Sequence, residues 1–170
     1  MNTIGKRYGI LAVCSALLIA MDQWAKSMAY STLRVNGPLV LIKGVFELLY
    51  SENRGAAFGI LQGKQWFFFL VAAAVVIAVL VFVAKLPSGS RYLPLYIAMI
   101  LLLSGAVGNL IDRAVRVFVV DFFYFSLIDF PIFNVADCYV VCAAGLLILL
   151  IGFFYKEDEL SFLSSKKENE

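Results

Sequence analysis

Four long apolar stretches divide this chain, and its polar residues collect between them. The apolar runs cover about residues 8–30, 66–84, 92–111 and 134–155. Each is long enough to cross the hydrocarbon core of a bilayer as a helix, which takes about 20 residues. We therefore predict an all-α membrane protein with one four-helix domain in residues 1–155. A charged tail follows in residues 156–170, which we expect to be disordered.

The two segments that join these helices on one side differ in character. Residues 31–65 contain two short β-prone runs, Leu39–Ile42 and Val45–Tyr50, separated by turn residues, which predicts a small sheet outside the membrane. The segment ends in NRGAAFG, whose small residues let backbone approach a ligand or another helix. Residues 114–133 are apolar and aromatic, and we expect a loop at the membrane interface in which Phe122–Phe130 covers a site.

An even number of spans places both termini on one side of the membrane. The basic residues favour a cytoplasmic position for the termini only weakly, since seven on the terminal side face six on the other. The seven are Lys6, Arg7, Lys85, Arg91, Lys156, Lys166 and Lys167, and the six are Arg34, Lys43, Arg54, Lys64, Arg113 and Arg116.

Composition removes several classes of function. With 62% hydrophobic and 15% charged residues the chain is too apolar for a soluble domain, and a net charge of +2 gives no reason to expect nucleic acid. Histidine is absent, which excludes Ser-His and Cys-His catalysis. Cys14, Cys138 and Cys142 lie in apolar runs, where thiols are usually small buried hydrophobes, so we expect no metal and no cofactor.

Charged residues occur at the end of the first apolar run. Asp22 and Lys26 are four residues apart with the acid first, so their side chains share one face of the helix in the favourable order. The structural interpretation is an ion pair from which Lys26 reaches the membrane interface beside Trp24. The functional alternative is that the pair belongs to a site.

Four aspartates compete for a catalytic role. Two carboxylates held close together cannot both ionise easily, so one can act as an acid and the other as a base. Asp112 has a structural alternative as an ion pair with Arg113, and Asp129 precedes Phe130-Pro131 like a turn residue.

Asp121 and Asp137 are the remaining two. Asp137 follows Asn134 by three residues, as in a capping box, so a structural role is as plausible as a catalytic one. Asp121 is the strongest candidate, because Val119, Val120 and two phenylalanines flank it with no cation nearby in sequence. The residues alone do not identify its partner.

Five motifs in this order resemble the lipoprotein signal peptidases, also called type II signal peptidases. The motifs are DQWAK at 22–26, ENRGAAFG at 52–59, GAVGNLIDR at 105–113, VVDF at 119–122 and FNVADCYV at 133–140. The resemblance implies a four-helix aspartyl endopeptidase of the bacterial cytoplasmic membrane, with a small extracytoplasmic sheet and an interfacial helix. It implies removal of the signal peptide of a prolipoprotein, just before a diacylglyceryl-modified cysteine.

The same resemblance implies roles for nine residues. Asp121 and Asp137 look like the catalytic pair, and Asn53, Asn109, Arg113 and Asn134 look like substrate-site residues. Asp22, Lys26 and Asp112 look like supporting positions. The implied partners are the lipid-modified substrate and membrane lipid, and we expect a monomer with its active site near the outer face of the membrane.

A transporter is the alternative from another class, because membrane carboxylates also bind and release protons or cations. Against it, the polar residues gather at one face, and no inverted repeat relates the two halves of the chain. A noncatalytic membrane-assembly subunit is a third possibility, which the Gly/Ala faces would suit.

Overall fold

Four long helices form the frame of the molecule in this computed structural model, which describes residues 4–55 and 64–163. They are α1 (Ile4–Asn36), α2 (Gln65–Lys85), α3 (Leu93–Arg116) and α4 (Val135–Leu149), and α4 continues as a wider π-helical turn to Phe154. All four are long and apolar enough to cross a membrane. The predicted four-span architecture is confirmed.

Helix α3 is the centre of the bundle. It packs against each of the other three helices, and 44% of its span is buried, compared with 17% for each of its neighbours. The largest apolar cluster therefore surrounds its first half, where Leu95, Tyr96 and Met99 meet Val79 and Val83 of α2. The outward faces of the other helices remain apolar, as a lipid environment requires.

Two helices are longer than predicted at the end of the bundle that carries the sheet. Helix α1 extends to Asn36 and α3 to Arg116. Leu33, in the added part of α1, packs against the apolar cluster that Val120 of the sheet forms with Ala29. The extra turns gain this contact outside the apolar run, so hydropathy alone could not reveal them.

A three-stranded antiparallel sheet covers this end of the bundle in the order β1-β2-β3. Strands β1 (Leu39–Ile42) and β2 (Phe46–Asn53) form the predicted hairpin, whose turn contains Gly44 at a positive φ of 72°. Strand β3 (Val119–Tyr124) pairs with β2, and Ser51 lies opposite Asp121. The pairing joins residues far apart in the chain, and it brings Asp121 to the sheet.

The segment of residues 114–133 is therefore not the loop that we expected. Phe122 is buried and belongs to the sheet, so a cover spanning all of Phe122–Phe130 is wrong for its first three residues. Asp129 does occupy a turn, with a φ of 47° and a hydrogen bond from the Tyr124 hydroxyl (2.6 Å). Ser126–Ile128 forms a single 3₁₀ turn, the one helical piece between β3 and α4.

The charged tail is also more ordered than expected. Asp158–Leu163 forms a short 3₁₀ helix at the terminal end of the bundle. Glu159 accepts two hydrogen bonds from the Arg91 guanidinium (2.8 and 3.1 Å), and Phe162 packs edge-on against Phe82 and Tyr92. The expectation of disorder is wrong for these six residues, because Leu160 and Phe162 give the charged sequence an apolar side. Residues 164–170 lie outside the described part, as do residues 56–63 with most of the NRGAAFG segment.

Candidate active site

All nine candidate residues lie at the end of the bundle that carries the sheet, supplied by six parts of the chain. Helix α1 supplies Asp22 and Lys26, β2 supplies Asn53, α3 supplies Asn109, Asp112 and Arg113, β3 supplies Asp121, the residue before α4 is Asn134, and α4 supplies Asp137. Hydrogen bonds or ion pairs connect all nine of them, and Arg113 joins the network through a hydrogen bond to the Asn109 carbonyl (3.5 Å).

Asp121 is 2% exposed and accepts two hydrogen bonds from amide side chains. Asn134 Nδ2 donates to its Oδ1 (2.6 Å), and Asn53 Nδ2 donates to its Oδ2 (3.0 Å). Burial raises the pKa of the Asp121 carboxyl to about 7, and the nearby charge of Asp137 adds to the rise, whereas the two amide donors oppose it. This carboxyl can therefore hold a proton near neutral pH.

Asp137 lies in the first turn of α4 and is partly exposed. The predicted capping box is present: Asn134 Oδ1 accepts from the Asp137 backbone N–H (3.0 Å), and Asp137 Oδ2 accepts from the Asn134 backbone N–H (3.1 Å). Its other oxygen accepts a hydrogen bond from Asn109 Nδ2 (2.8 Å). Asp137 thus caps the helix and faces the site at once, so the two interpretations of the sequence are compatible.

Asn134 links the two carboxylates directly. Its amide nitrogen donates to the Asp121 carboxyl, and its backbone N–H donates to the Asp137 carboxylate. It also donates to Asn109 Oδ1 (3.2 Å). Because Asn134 is completely buried and part of a helix cap, its side chain has little freedom, and the two carboxylates are held in a fixed relation.

A quartet of charges lies behind the carboxylates, three of them buried and the fourth, Arg116, partly exposed. Lys26 Nζ is 2.8 Å from Asp22 Oδ2 and 3.4 Å from Asp112 Oδ2, with all three side chains 0% exposed. Arg116 pairs with the other oxygen of Asp112. The predicted Asp22–Lys26 ion pair is confirmed, but Lys26 points into the protein and does not reach the interface, although Trp24 is exposed as expected.

The charge quartet also fixes the backbone around it. Asp22 Oδ1 accepts from the Ala136 N–H at the start of α4 (2.9 Å), and Asp112 Oδ2 accepts from the Val120 N–H of β3 (3.0 Å). Each of these backbone groups adjoins a candidate catalytic residue, Asp137 or Asp121. The supporting residues therefore connect α1 and α3 to both elements that carry carboxylates.

Arg113 does not pair with Asp112, as the adjacent positions suggested. Its guanidinium donates to the Gly55 carbonyl (2.9 Å) and lies 4.2 Å from the Phe68 ring centroid, while Asp112 pairs with Arg116. The sequence contained a signal for the correct pair, since Asp112 and Arg116 are four residues apart on one helix. Arg113 Nε is buried and has no hydrogen-bond partner among the described residues.

Two glycines of α3 allow close packing beside the site, Gly105 against α4 and Gly108 against α1. A Cβ on Gly105 would lie 2.5 Å from the Ala136 carbonyl oxygen, and a Cβ on Gly108 would lie 2.8 Å from Asp22 Oδ2. The small-residue face predicted for this part of α3 is confirmed.

The cysteines take no part in this network. Cys14 and Cys138 are half-buried and Cys142 is exposed on the outside of α4, so the expected burial is wrong for Cys142. Within residues 4–55 and 64–163, no three His, Cys, Asp or Glu side chains form a group that would hold a metal ion.

Comparison with solved structures first defines the class. Two structures described as bacterial membrane enzymes, determined by the in meso method at 2.3 and 1.9 Å resolution, are each 31% identical to this chain. The first has a TM-score of 0.74, covering 95% of this chain and 94% of the other, and the second has a TM-score of 0.72. The chain is a multi-pass bacterial membrane protein with the fold of a membrane enzyme.

Comparison of sequences then identifies the family. The family model described as Signal peptidase (SPase) II matches residues 14–154. A lipoprotein signal peptidase of Brevibacillus brevis is 43% identical over 79% of this chain and 89% of its own length. One of Geobacillus thermodenitrificans is 35% identical over 98% of this chain and 99% of its own length. The chain belongs to the signal peptidase II family.

Proposed function

We propose that this signal peptidase is an aspartic endopeptidase, with Asp121 and Asp137 as its catalytic pair. Its substrates are diacylglyceryl-modified prolipoproteins, and the bond cleaved is the one before the lipid-modified cysteine. The observation that carries the proposal is the hydrogen bonding of Asn134: its side chain donates to a carboxyl of raised pKa on β3, and its backbone N–H donates to a second carboxylate at the start of α4. The names of the relatives support the substrate class.

Asp137 begins the reaction as the base and Asp121 as the acid. Asp137 lies at the N-terminus of α4, is partly exposed, and accepts a hydrogen bond from the Asn109 amide, so its carboxylate can contact a water molecule in the site. Asp137 removes a proton from water, the water oxygen attacks the carbonyl carbon of the residue before the cysteine, and Asp121 gives its proton to the departing amine. Protons and charges then balance, with the two carboxyls having exchanged roles.

Arg113 suits the stabilisation of the developing oxyanion. The Nε of its guanidinium, which has no hydrogen-bond partner in residues 4–55 and 64–163, offers a donor beside the carboxylates, whereas the amides of Asn53, Asn109 and Asn134 already donate to them. The asparagines therefore hold the catalytic pair in place, and Arg113 orients the peptide. Asp22, Lys26 and Asp112 support this arrangement from behind.

The proposed orientation places both termini in the cytoplasm and the sheet at the outer face of the cytoplasmic membrane. In this position the apolar helices hold the acyl chains of the substrate in lipid, while its peptide bond reaches the polar end of the bundle. The protein works as a monomer, since all nine residues come from one chain. Labelling of single cysteines introduced at Lys43 and at Ser88 with a membrane-impermeant reagent tests the orientation, and reaction of the Ser88 position alone in intact cells would contradict it.

The activity is tested with purified protein and a diacylglyceryl-modified prolipoprotein, by following release of the signal peptide. We expect cleavage by the wild type and a loss of at least about 100-fold in kcat for Asp121→Asn and for Asp137→Asn, since general acid–base groups contribute 10² to 10⁴. The unmodified precursor is the substrate control. Near-normal turnover by either variant would remove that aspartate from the pair, and ion flux without cleavage would favour a transporter.

A further inference from the structure

We propose that Lys26 is a positioning residue for the reaction, which sets the orientation of the Asn109 amide and through it the environment of Asp137. The inference rests on the proposed function, because it assigns a role within the same site. It starts from the Lys26 ammonium, which is 0% exposed and lies 2.8 Å from Asn109 Oδ1.

The ammonium group imposes a direction on the amide. A lysine ammonium has three donors and no acceptor, so only the oxygen of an amide can face it. Asn134 Nδ2 also donates to that oxygen (3.2 Å). With its oxygen held by two donors, Asn109 can turn only its NH₂ group toward Asp137, and Nδ2 does donate to Asp137 Oδ1 (2.8 Å).

The reverse orientation is excluded while Lys26 is present. Rotation of the amide by 180° would place its NH₂ group against an ammonium and another amide NH₂, and its oxygen against a carboxylate. Every one of the three contacts would then be repulsive. Lys26 therefore keeps Asn109 in the orientation in which its NH₂ group donates to Asp137, the residue that acts as the base.

The neighbouring charges explain why Lys26 can be buried here. Asp22 and Asp112 both contact its ammonium, and Arg116 balances the second carboxylate, so the quartet is neutral overall. Of these four side chains, only Lys26 contacts an asparagine of the site. A purely electrostatic or structural role would be shared by the quartet, whereas within the quartet only Lys26, together with Asn134, orients Asn109.

The test compares kcat and KM of purified variants with a diacylglyceryl-modified prolipoprotein. Lys26→Met leaves two carboxylates with one cation and should destabilise the fold. The paired variant Asp22→Asn/Lys26→Met removes one charge of each sign and keeps the site neutral. We expect the paired variant to lose about 10- to 100-fold in kcat, with KM changed less than about twofold, since a slightly displaced catalytic group can cost 100-fold.

Two further variants test whether the effect is specific to Lys26 acting through Asn109. Arg116→Met is the matched control, because it removes a cation from the same quartet without touching Asn109, and we expect its kcat to stay within about threefold of the wild type. In an Asn109→Leu background, adding Asp22→Asn/Lys26→Met should lower kcat by less than about threefold further, because the residue through which Lys26 acts is already absent.

The outcomes separate this inference from the proposed function. If the wild type cleaves and the Asp121→Asn and Asp137→Asn variants do not, a folded paired variant with kcat near the wild type overturns the role of Lys26 alone. The role is also overturned if Asp22→Asn/Lys26→Met lowers kcat by the same factor in the Asn109→Leu background as in the wild type. It is overturned likewise if Arg116→Met lowers kcat as much as the paired variant does. If the wild type fails to cleave, the proposed function fails and this inference fails with it.

Discussion

The Asp121 carboxyl shows at the scale of one residue how burial creates an acid. It lies on β3 with 2% of its surface exposed, and its hydrogen-bond partners are amides, which carry no positive charge. Removing a carboxylate from water without a paired cation penalises its ionised form. The residue is therefore poised to donate a proton, and the same penalty must appear in the stability of the fold.

The pKa of about 7 for Asp121 predicts the alkaline side of the activity profile. Because Asp121 acts in its protonated form, kcat/KM should fall as the pH rises through about 7. Asn53→Ala removes a donor that lowers this pKa. The alkaline limb should then move upward by up to about one pH unit, since a hydrogen bond to a charged group contributes roughly 1.5 kcal/mol and 1.36 kcal/mol corresponds to one unit.

Tyr124→Phe is the control for this measurement, because the Tyr124 hydroxyl bonds to Asp129 and not to the catalytic pair. Its limb should coincide with that of the wild type. If the alkaline limb of the kcat/KM profile of Asn53→Ala lay at the same pH as that of the wild type, or at a lower pH, the result would be inconsistent with Asp121 as the acid.

The raised pKa also makes stability depend on pH. The folded protein binds the Asp121 proton more tightly than the unfolded chain does, so the stabilisation is complete below about pH 4 and is lost as the pH rises through about 7. The difference between pKa values of 3.8 and about 7 corresponds to at most about 4 kcal/mol.

Asp121→Asn has no such ionisation and tests this dependence. The thermal midpoint of the variant in detergent, minus that of the wild type, should be larger at pH 8 than at pH 5. A difference between the two proteins that does not change with pH would contradict this.

At the scale of elements, the close contact of α3 and α4 fixes the position of Asp137. The two helices meet where Gly105 faces the Ala136 carbonyl, and Ala136 is the residue before Asp137. Any atom added at Gly105 must push against backbone, which cannot rotate away as a side chain does. The spacing of these helices is thus part of the geometry of the site.

Gly105→Ala should therefore impair both stability and activity. Its Cβ would lie 2.5 Å from the Ala136 oxygen and 2.6 Å from Val140 Cγ2, and overpacking of this kind costs about 1–3 kcal/mol. Displacement of the start of α4 should lower kcat by about 100-fold. On α4, a Cβ at Gly145 would meet no neighbouring atom of the described residues within 4 Å, so Gly145→Ala should be neutral or stabilising by up to about 1 kcal/mol. Thermal midpoints and kcat of the two variants check the contrast, and equal effects would contradict it.

The elements also show where sequence reasoning succeeds. Apolar runs and turn residues are local signals, and they predicted the four helices and the β1–β2 hairpin. Strand β3 was missed because its stabilisation comes from β2, and Asn53 and Asp121 are 68 positions apart in the chain. The hydrophobic flanks of Asp121 indicated a special residue, but its contacts with Asn53 and Asn134 exist only in the folded structure.

At the scale of the whole molecule, the candidate site and the ordered tail occupy opposite ends of the bundle. Helix α3 connects them: Asn109 lies near its last turns, and Tyr92 immediately precedes its first. Its 24 residues rise about 36 Å at 1.5 Å each. Changes at the tail should therefore affect how firmly the helices are held together without affecting the catalytic step.

Phe162→Ala tests this separation of roles. The Phe162 ring packs edge-on against Phe82 of α2 and Tyr92 before α3, both with centroids 5.8 Å away, so it joins the ends of two helices. Loss of two aromatic contacts should cost about 1–3 kcal/mol and lower the thermal midpoint in detergent. The value of kcat, measured below that midpoint, should stay unchanged, because the described contacts of Phe162 do not reach the charged network at the other end.

Leu163→Ala is the control, since Leu163 is 41% exposed and its replacement should change neither the thermal midpoint nor kcat appreciably. A fall in kcat for Phe162→Ala at a temperature where the protein is folded would mean that the tail and the active site are coupled through α3.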